Sequence, residues 1–290
     1  MRTPRRLIVN ADGFGFGSGA TQGILDALAE GGFVTSVSVN ANFCQADRIR
    51  EVADRYPDVS IGVHLNAMAG RPCLPCAAVP TLVGEDGYFH EGRFRYLLKT
   101  GRICVTELEA EFDAQILRVK KLVGDRISHL DSQENSHLDF LDLTLDLSRK
   151  WGIGGLRNNA SLICLESVRP ARSRLAAYLG KPHVWLGHQY RRYQMQKVRS
   201  AGIKMADGLV TVGYAGSGNK TNPDNWRNVL HNLPEGTYEI YCHPAYPDAT
   251  LGRWASYCEE RARELEILRQ TQLADIARST GVQLISFKEI

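Results

Sequence analysis

Short apolar runs alternate along the chain with amphipathic segments, a pattern that predicts strands and helices in regular succession. The predicted strands begin with the run Leu7–Val9 and continue at residues 33–40, 60–65, 126–130, 154–157, 208–212, 238–242 and 282–286. Helical periodicity predicts helices at residues 20–30, 46–56, 107–123, 141–151 and 255–279. This alternation predicts one α/β domain, a distorted (β/α) barrel with roughly seven or eight mostly parallel strands.

Regular periodicity stops between residues 66 and 105, where prolines and glycines interrupt the sequence. Irregular segments of this length in a compact domain are usually functional, as lids or as walls of binding sites. We expect this excursion to wall or cover the functional pocket, and residues 1–290 to form a single domain. Residues 170–204 are rich in arginine and lysine and are predicted to be helical in part.

Composition and charge exclude several classes of protein. The hydrophobic fraction of 43% and the charged fraction of 23% suit a globular protein with a substantial core. A net charge of +3 is small, and no segment interleaves basic and aromatic residues, which argues against nucleic acid as a partner. No apolar run reaches the roughly 20 residues of a membrane span, and the run behind the basic N-terminus is too short for a signal peptide. Seven scattered cysteines fit a reducing compartment, so a cytoplasmic location is expected.

Polar side chains recur at the carboxyl ends of four predicted strands. They are Asp12, His64, Asp131 and His243, at the ends of the first, third, fourth and seventh strands. Since the carboxyl ends of the strands of a parallel barrel open on one face, these residues are expected to share one pocket. Polar groups that converge in this way indicate an active site.

Two other motifs have alternative interpretations. Gly15–Ala20 matches a dinucleotide-binding fingerprint, but that fingerprint requires an acidic residue about 20 positions later. The second strand ends in Val39–Asn42 instead, so a nicotinamide oxidoreductase is the less favoured interpretation. Cys73 and Cys76 have the spacing of a redox or zinc half-site. No second pair accompanies them, which favours two cysteines without a functional role.

The motifs taken together resemble those of the YdjC-like carbohydrate deacetylases, the family of the chitooligosaccharide deacetylase. The corresponding segments of this chain are Asn10–Gly15 with Ser18 and Gly19 (family pattern N-A-D-D-F-G, then S-x-G), Gly62–Leu65 (G-x-H-L), His129–His137 (H-L-D-S-H-x-H-x-H) and Cys242–Pro244 (C-H-P), with Glu264 and Leu265 in the following helix. The matches run from the first strand to the last in the family's order.

The resemblance implies metal-assisted hydrolysis of an amide on an N-acetylated amino sugar. In this chemistry a divalent ion polarises the carbonyl group, a carboxylate takes a proton from water, and a histidine protonates the departing amine. The expected catalytic residues are Asp12 as base and His243 as acid; the expected metal ligands are His64, Gln133 and Glu134; the expected substrate-binding residues are Asp131, Arg157 and His137.

Three positions depart from the family pattern. Gly13 replaces the second aspartate, a metal ligand, and Gln133 and Asn135 replace the first and middle histidines of the H-x-H-x-H run. Glycine offers no ligand, and an amide oxygen suits a hard cation such as Mg²⁺ better than a transition metal. We therefore expect a remodelled site for Mg²⁺ or Zn²⁺, with Glu134, Asp131 or Asp12 as the alternative sources of oxygen ligands.

Two functions stay open. The first is a hydrolase that removes an acetyl or other acyl group from an amino sugar, and the second is a sugar-binding relative that has lost hydrolysis with its metal. A phosphorylated or nucleotide-linked sugar would suit the basic segment 170–204 if that segment borders the pocket. A homodimer is also left open.

Overall fold

The computed structural model describes residues 3–159, 162–164, 182–213, 220–270 and 272–290. Within these ranges the strands are β1 (Arg5–Phe14), β2 (Ser36–Val39), β3 (Ser60–Leu65), β4 (Ile127–Ser132), β5 (Gly155–Leu156), β6 (Leu162–Cys164), β7 (Gly208–Thr211), β8 (Gly236–Cys242) and β9 (Val282–Leu284). The α-helices are α1 (Ser18–Gly31), α2 (Ile49–Arg55), α3 (Phe94–Lys99), α4 (Val105–Val123), α5 (Leu141–Trp151), α6 (Pro182–Ser200), α7 (Pro223–Asn232), α8 (Ala249–Trp254), α9 (Cys258–Arg269) and α10 (Gln272–Ser279).

These strands form one parallel sheet in the order β5-β4-β3-β2-β1-β8-β7-β6, with β9 paired to β1. The sheet curls into a half-barrel that the helices surround, so the predicted α/β barrel-like fold is confirmed. β1 is the longest strand and pairs with β2, β8 and β9. Its residues from Leu7 onward are buried, as expected for a parallel strand that is covered on both faces.

The excursion at residues 66–105 is anchored by α4. The apolar positions of α4 face the core, but the same face also buries Glu111 and Gln115. Glu111 accepts a hydrogen bond from the backbone N–H of Cys73 at 2.8 Å. Gln115 accepts from the N–H of Asn66 at 3.0 Å and donates to its carbonyl oxygen at 2.6 Å. Buried polar groups of the helix therefore satisfy the backbone of an otherwise irregular segment.

Some predicted elements have different bounds or were missed. The long helix predicted at 255–279 is wrong: α9 ends at Arg269, Gln270 has an extended backbone, and α10 begins at Gln272. The strand β6 and the helices α7 and α8 were not predicted. Asn222 caps α7 and proline follows at its first position, so a start signal was present in the sequence.

Part of the basic segment 170–204 lies outside the described residues. Its described part contains α6, which confirms the helix expected there. No helix in the described ranges is both long and apolar enough to cross a membrane. The cytoplasmic location and the homodimer stay predictions.

Candidate active site

A pocket opens at the carboxyl ends of β1, β3, β4 and β8. Its lining residues are Asp12, Gly13, Phe16, His64, Ser132, Gln133, Glu134, Asn135, Tyr241, His243, Tyr257 and Arg261. The structure therefore brings together five residues that were predicted for the site, namely Asp12, His64, Gln133, Glu134 and His243.

Three other residues predicted for the site, Asp131, His137 and Arg157, are fully buried and are not among the lining residues. The Nε2 of His137 lies 3.0 Å from the carbonyl oxygen of Arg157, and its Nδ1 lies 2.9 Å from the hydroxyl of Ser132. Burial lowers the pKa of His137 to about 4, so its imidazole is a neutral link between β4 and the end of β5. The predicted contact of these three residues with substrate stays a prediction.

β1 ends in a bulge at Gly13. The pairing of β1 with β2 changes register between Asp12 and Phe14, and Gly13 has a φ of 97°. Glycine adopts this backbone conformation without strain, whereas residues with a side chain rarely do. Bulges beside active sites redirect side chains. Here the bulge places Asp12 in the pocket wall and leaves no side chain at the next position.

Arg157 holds carboxylates from three strands together. Its Nη1 and Nη2 lie 2.8 Å and 2.6 Å from the two oxygens of Asp12, in a bidentate pair. Nη2 also lies 2.9 Å from Asp131 Oδ2, and Nε donates to Glu239 Oε1 at 2.7 Å. Burial alone would lower the pKa of Arg157, but the three carboxylates outweigh it and raise the pKa. Arg157 is therefore a fixed cation behind the pocket.

This cluster contains three carboxyl groups and one arginine, so its net charge depends on the protonation of the carboxyl groups. Burial raises the pKa of Glu239 to about 7, although Arg157 acts in the opposite direction. Burial would also raise the pKa of Asp131, but Arg157 and His64 outweigh it, so that the pKa of Asp131 lies below its usual range. Near neutral pH Asp131 is therefore anionic, while Glu239 is partly protonated.

His64 is oriented by Asp131. Its Nδ1 lies 2.9 Å from Asp131 Oδ1, while Asp131 Oδ2 accepts a hydrogen bond from Ser38 at 2.7 Å. Burial lowers the pKa of His64, but the charge of Asp131 and its hydrogen bond outweigh burial and raise it. Because Nδ1 is engaged, Nε2 is the ring nitrogen that can meet a ligand in the pocket.

His243 lines the pocket beside Asp12. Its Nε2 is 4.0 Å from Asp12 Oδ2, and its backbone N–H donates to Glu264 Oε2 at 3.0 Å. Burial, followed by the nearby charge of Arg261, holds the pKa of His243 well below its usual value. The resting imidazole is therefore neutral and faces the carboxylate of Asp12.

The model of the YdjC-like protein family matches residues 6–279. The chain belongs to this family. It is 28% identical over 283 residues to a carbohydrate deacetylase of Thermoanaerobacter pseudethanolicus, with 97% of each chain covered. It is 31% identical over 270 residues to a carbohydrate deacetylase of Halalkalibacterium halodurans, with 93% of this chain and 98% of that relative covered. A candidate cellobiose-phosphate cleavage protein from Enterococcus faecalis has a similar crystal structure, with a TM-score of 0.77, 28% identity and 99% of both chains covered.

One group of side chains in the described part of this YdjC-like chain could hold a metal ion. It consists of Asp12, His64 and Asp131, whose ligand atoms lie within 4.8 Å of one another. Arg157 Nη2, however, lies 2.6 Å from Asp12 Oδ1 and 2.9 Å from Asp131 Oδ2. The guanidinium group already pairs with both carboxylates, and a divalent ion bound there would lie beside a fixed cation.

The positions that correspond to the family's ligands offer weaker donors. Gly13 has no side chain, and Gln133 provides a neutral amide oxygen. The Glu134 side chain is 54% exposed and forms an ion pair with Arg95 at 3.2 Å. His64 Nε2 with one amide oxygen is a neutral donor set, whereas hard divalent ions favour carboxylates. The residues present therefore do not fit the divalent ion that the family resemblance implies, and Mg²⁺ or Zn²⁺ binding stays a prediction.

Several pocket residues were missed by the sequence analysis. Tyr241 lies one position before Cys242, so the C-H-P motif was a signal for it. Tyr257 and Arg261 lie at the start of α9, and a search of strand ends alone does not find helix residues. The only signal near them was the match at Glu264 in the same helix.

The excursion at residues 66–105 was expected to wall the pocket. None of the lining residues within the described ranges comes from it. It reaches the pocket through Arg95, which donates to the carbonyl oxygen of Glu134 at 2.6 Å and to the carboxylate of Asp139 at 2.9 Å. Contrary to the expectation, residues 66–105 therefore do not wall this pocket in the described ranges. Through Arg95 they support Glu134, one of the lining residues. The described part of the basic segment 170–204 likewise adds no lining residue.

Proposed function

We propose that this chain hydrolyses the acyl amide of an N-acylated amino sugar, with N-acetyl as the favoured acyl group. The observation that supports it most strongly is the position of Asp12 in the pocket. Its carboxylate is held by both Nη atoms of the buried Arg157, and its Oδ2 lies 4.0 Å from Nε2 of the neutral His243. The two relatives named carbohydrate deacetylase, each matched over more than nine-tenths of both chains, support the same chemistry.

Amide hydrolysis needs a base for the attacking water and a proton for the departing amine. Asp12 is positioned as the base because Arg157 and Asn10, whose Nδ2 lies 2.6 Å from Asp12 Oδ1, fix its carboxylate. The 4.0 Å between Asp12 Oδ2 and His243 Nε2 is too long for a hydrogen bond but suits a bridging water.

A water O–H bond breaks and its proton passes to Asp12, while the water oxygen bonds to the carbonyl carbon. When the tetrahedral intermediate collapses, the C–N bond breaks and the proton reaches the amine through His243. A neutral His243 suits this relay, because its Nε2 faces Asp12 and can accept the proton from that carboxyl group before passing it to the amine. The products are a carboxylic acid and the free amino sugar.

The alternative function, a sugar-binding relative without hydrolysis, is favoured by one observation. Gly13 and Gln133 remove two ligands that the family pattern supplies. Two finer points also stay predictions: metal assistance through His64, Gln133 and Glu134, and a phosphorylated or nucleotide-linked substrate. The name of the Enterococcus faecalis relative supports including phosphorylated sugars among the test substrates.

The test is acetate release from N-acetylated mono- and disaccharides, with and without a phosphate group. The protein is assayed as purified, after treatment with chelator and after addition of Mg²⁺ or Zn²⁺, and its metal content is measured. We expect turnover in the purified protein that Asp12→Asn abolishes, with the exposed and remote Asp125→Asn as the matched control. Sugar binding without acetate release in every metal state would favour the alternative.

A further inference from the structure

Arg261 is a buried cation that has no acidic partner among the residues that the structure describes. Its side chain comes from α9, and the residue is 6% exposed. Nη2 donates to the hydroxyl of Tyr257 at 3.1 Å, and the guanidinium carbon lies 4.7 Å from the centre of the same ring. Nε is buried and has no hydrogen-bond partner. Within the described ranges, no carboxylate lies within ion-pair distance of Arg261.

The other buried cations beside the pocket are paired. Arg157 contacts three carboxylates, and Lys220 Nζ lies 3.5 Å from Glu264 Oε1 and donates to the carbonyl oxygen of Tyr241 at 2.9 Å. Burying a charge without a partner is costly. An unpaired guanidinium that lines a pocket is therefore suited to an electron-rich atom of a ligand.

The guanidinium faces the place that Gly13 leaves open. A Cβ atom at position 13 would lie 3.9 Å from Arg261 Nη1, and Gly13 directly follows Asp12. The charge of Arg261 also acts on His243, whose pKa it lowers. Asp12, His243 and the guanidinium of Arg261 therefore line the same pocket.

We propose that Arg261 is a catalytic residue that binds the acyl carbonyl oxygen of the substrate and stabilises the negative charge on it. This inference rests on the proposed function. When the water oxygen bonds to the carbonyl carbon, the C=O π electrons move to the oxygen, which becomes an alkoxide beside Nη1, the nitrogen nearest to Gly13. When the amine leaves, the pair returns to restore the carbonyl. A fixed donor aimed at developing charge acts without reorganisation.

An aspartate at position 13 would lie next to Arg261. A carboxylate there would reach Arg261 from the 3.9 Å Cβ position and form an ion pair with it. The backbone φ of 97° also strains any residue with a side chain. Gly13→Asp should therefore lower kcat, by occupying Arg261, without raising the affinity for Mg²⁺ or Zn²⁺.

The first experiment compares Arg261→Met with Arg263→Met, an exposed arginine on the same helix. Loss of one oxyanion donor is expected to lower kcat by about 10²–10³-fold with little change in KM, while Arg263→Met keeps wild-type kcat. Arg261→Lys should recover part of the loss, because it restores the charge but not the planar donor pair. Thermal unfolding of each variant identifies any that fails to fold, and Gly13→Asp, which leaves Arg261 intact, then serves as the second test.

The outcomes separate the two proposals. If the wild-type protein releases acetate and Arg261→Met retains its kcat, the inference about Arg261 is overturned and the proposed function stands. If Gly13→Asp instead gains both metal affinity and turnover, the position belongs to a metal site and the inference is again overturned. If the wild-type protein releases no acetate from any substrate, the proposed function is overturned, and the inference about Arg261, which rests on it, is overturned with it.

Discussion

Replacing Arg157 with methionine should strongly destabilise the fold. Methionine keeps an unbranched apolar stem but carries no charge, so the variant leaves Asp12, Asp131 and Glu239 buried without their shared cation. Removing one partner of a buried ion pair costs about 3–5 kcal/mol, because the remaining charge stays desolvated. That is a large part of the roughly 5–15 kcal/mol by which folded domains are stable.

The loss should be visible as a change in melting temperature and should depend on pH. A destabilisation of 1 kcal/mol lowers Tm by about 2–4 °C in domains of 150–250 residues, so Arg157→Met should lower Tm by roughly 6–20 °C near pH 7.5. Without the guanidinium the buried carboxyls have raised pKa values, and a carboxyl with a raised folded pKa gains stability as pH falls toward its unfolded pKa. The difference between wild type and variant should therefore be smaller at pH 5 than at pH 8.

The assay is thermal unfolding at both pH values, with urea unfolding as a check. Arg278→Met is the matched control, because Arg278 is 78% exposed and pairs with Asp275 at the surface. Exposed ion pairs contribute about 0–1 kcal/mol, so this control should unfold almost as the wild type does. Adding Glu239→Gln to Arg157→Met should recover part of the loss, since one buried carboxyl is removed. Equal melting temperatures for Arg157→Met and the control would refute the view of Arg157 as the electrostatic centre of the sheet.

Three further predictions concern stability, thiol chemistry and the excursion. The folded pKa of Asp131 lies below the unfolded value of 3.8, so its stabilising contribution is present above that value and is lost as pH falls through the folded pKa. The difference in unfolding free energy between wild type and Asp131→Asn should therefore shrink below about pH 4. A constant difference down to pH 2 would contradict this. Burial raises the pKa of Cys73 to about 12, whereas a hydrogen bond with Thr106 lowers that of Cys104. Iodoacetamide at pH 8 should therefore modify Cys104 before Cys73, as peptide mass spectrometry would measure; equal rates would show that burial does not protect Cys73. Glu111→Ala should speed limited proteolysis within residues 66–105, because it removes the acceptor for the Cys73 backbone N–H, and an unchanged digestion pattern would mean that other contacts anchor the segment.

Much of the element order could be predicted from the sequence, because hydrophobic periodicity reports which face of a local segment is buried. The bounds predicted for Ser60–Leu65 and Leu141–Trp151 are those of the structure. The end of α9 was not predictable in this way. The amphipathic pattern continues through Gln270, but the backbone there is extended and α10 starts anew beside β9. Packing of neighbouring elements decided that break, and periodicity does not contain it.

The sequence by itself determined which chemical groups reach the pocket from the sheet. Asp12, His64 and His243 each lie at the end of a buried strand, and the ends of parallel strands share one face. Only the tertiary structure decided their partners. Arg157 contacts Asp12 across 145 positions and Glu239 across 82, while Arg261 faces the empty side of Gly13. An ion pair depends on distance and burial in three dimensions, so an arginine that would be solvated at the surface becomes, in the interior, either the partner of several carboxylates or a cation open to a ligand.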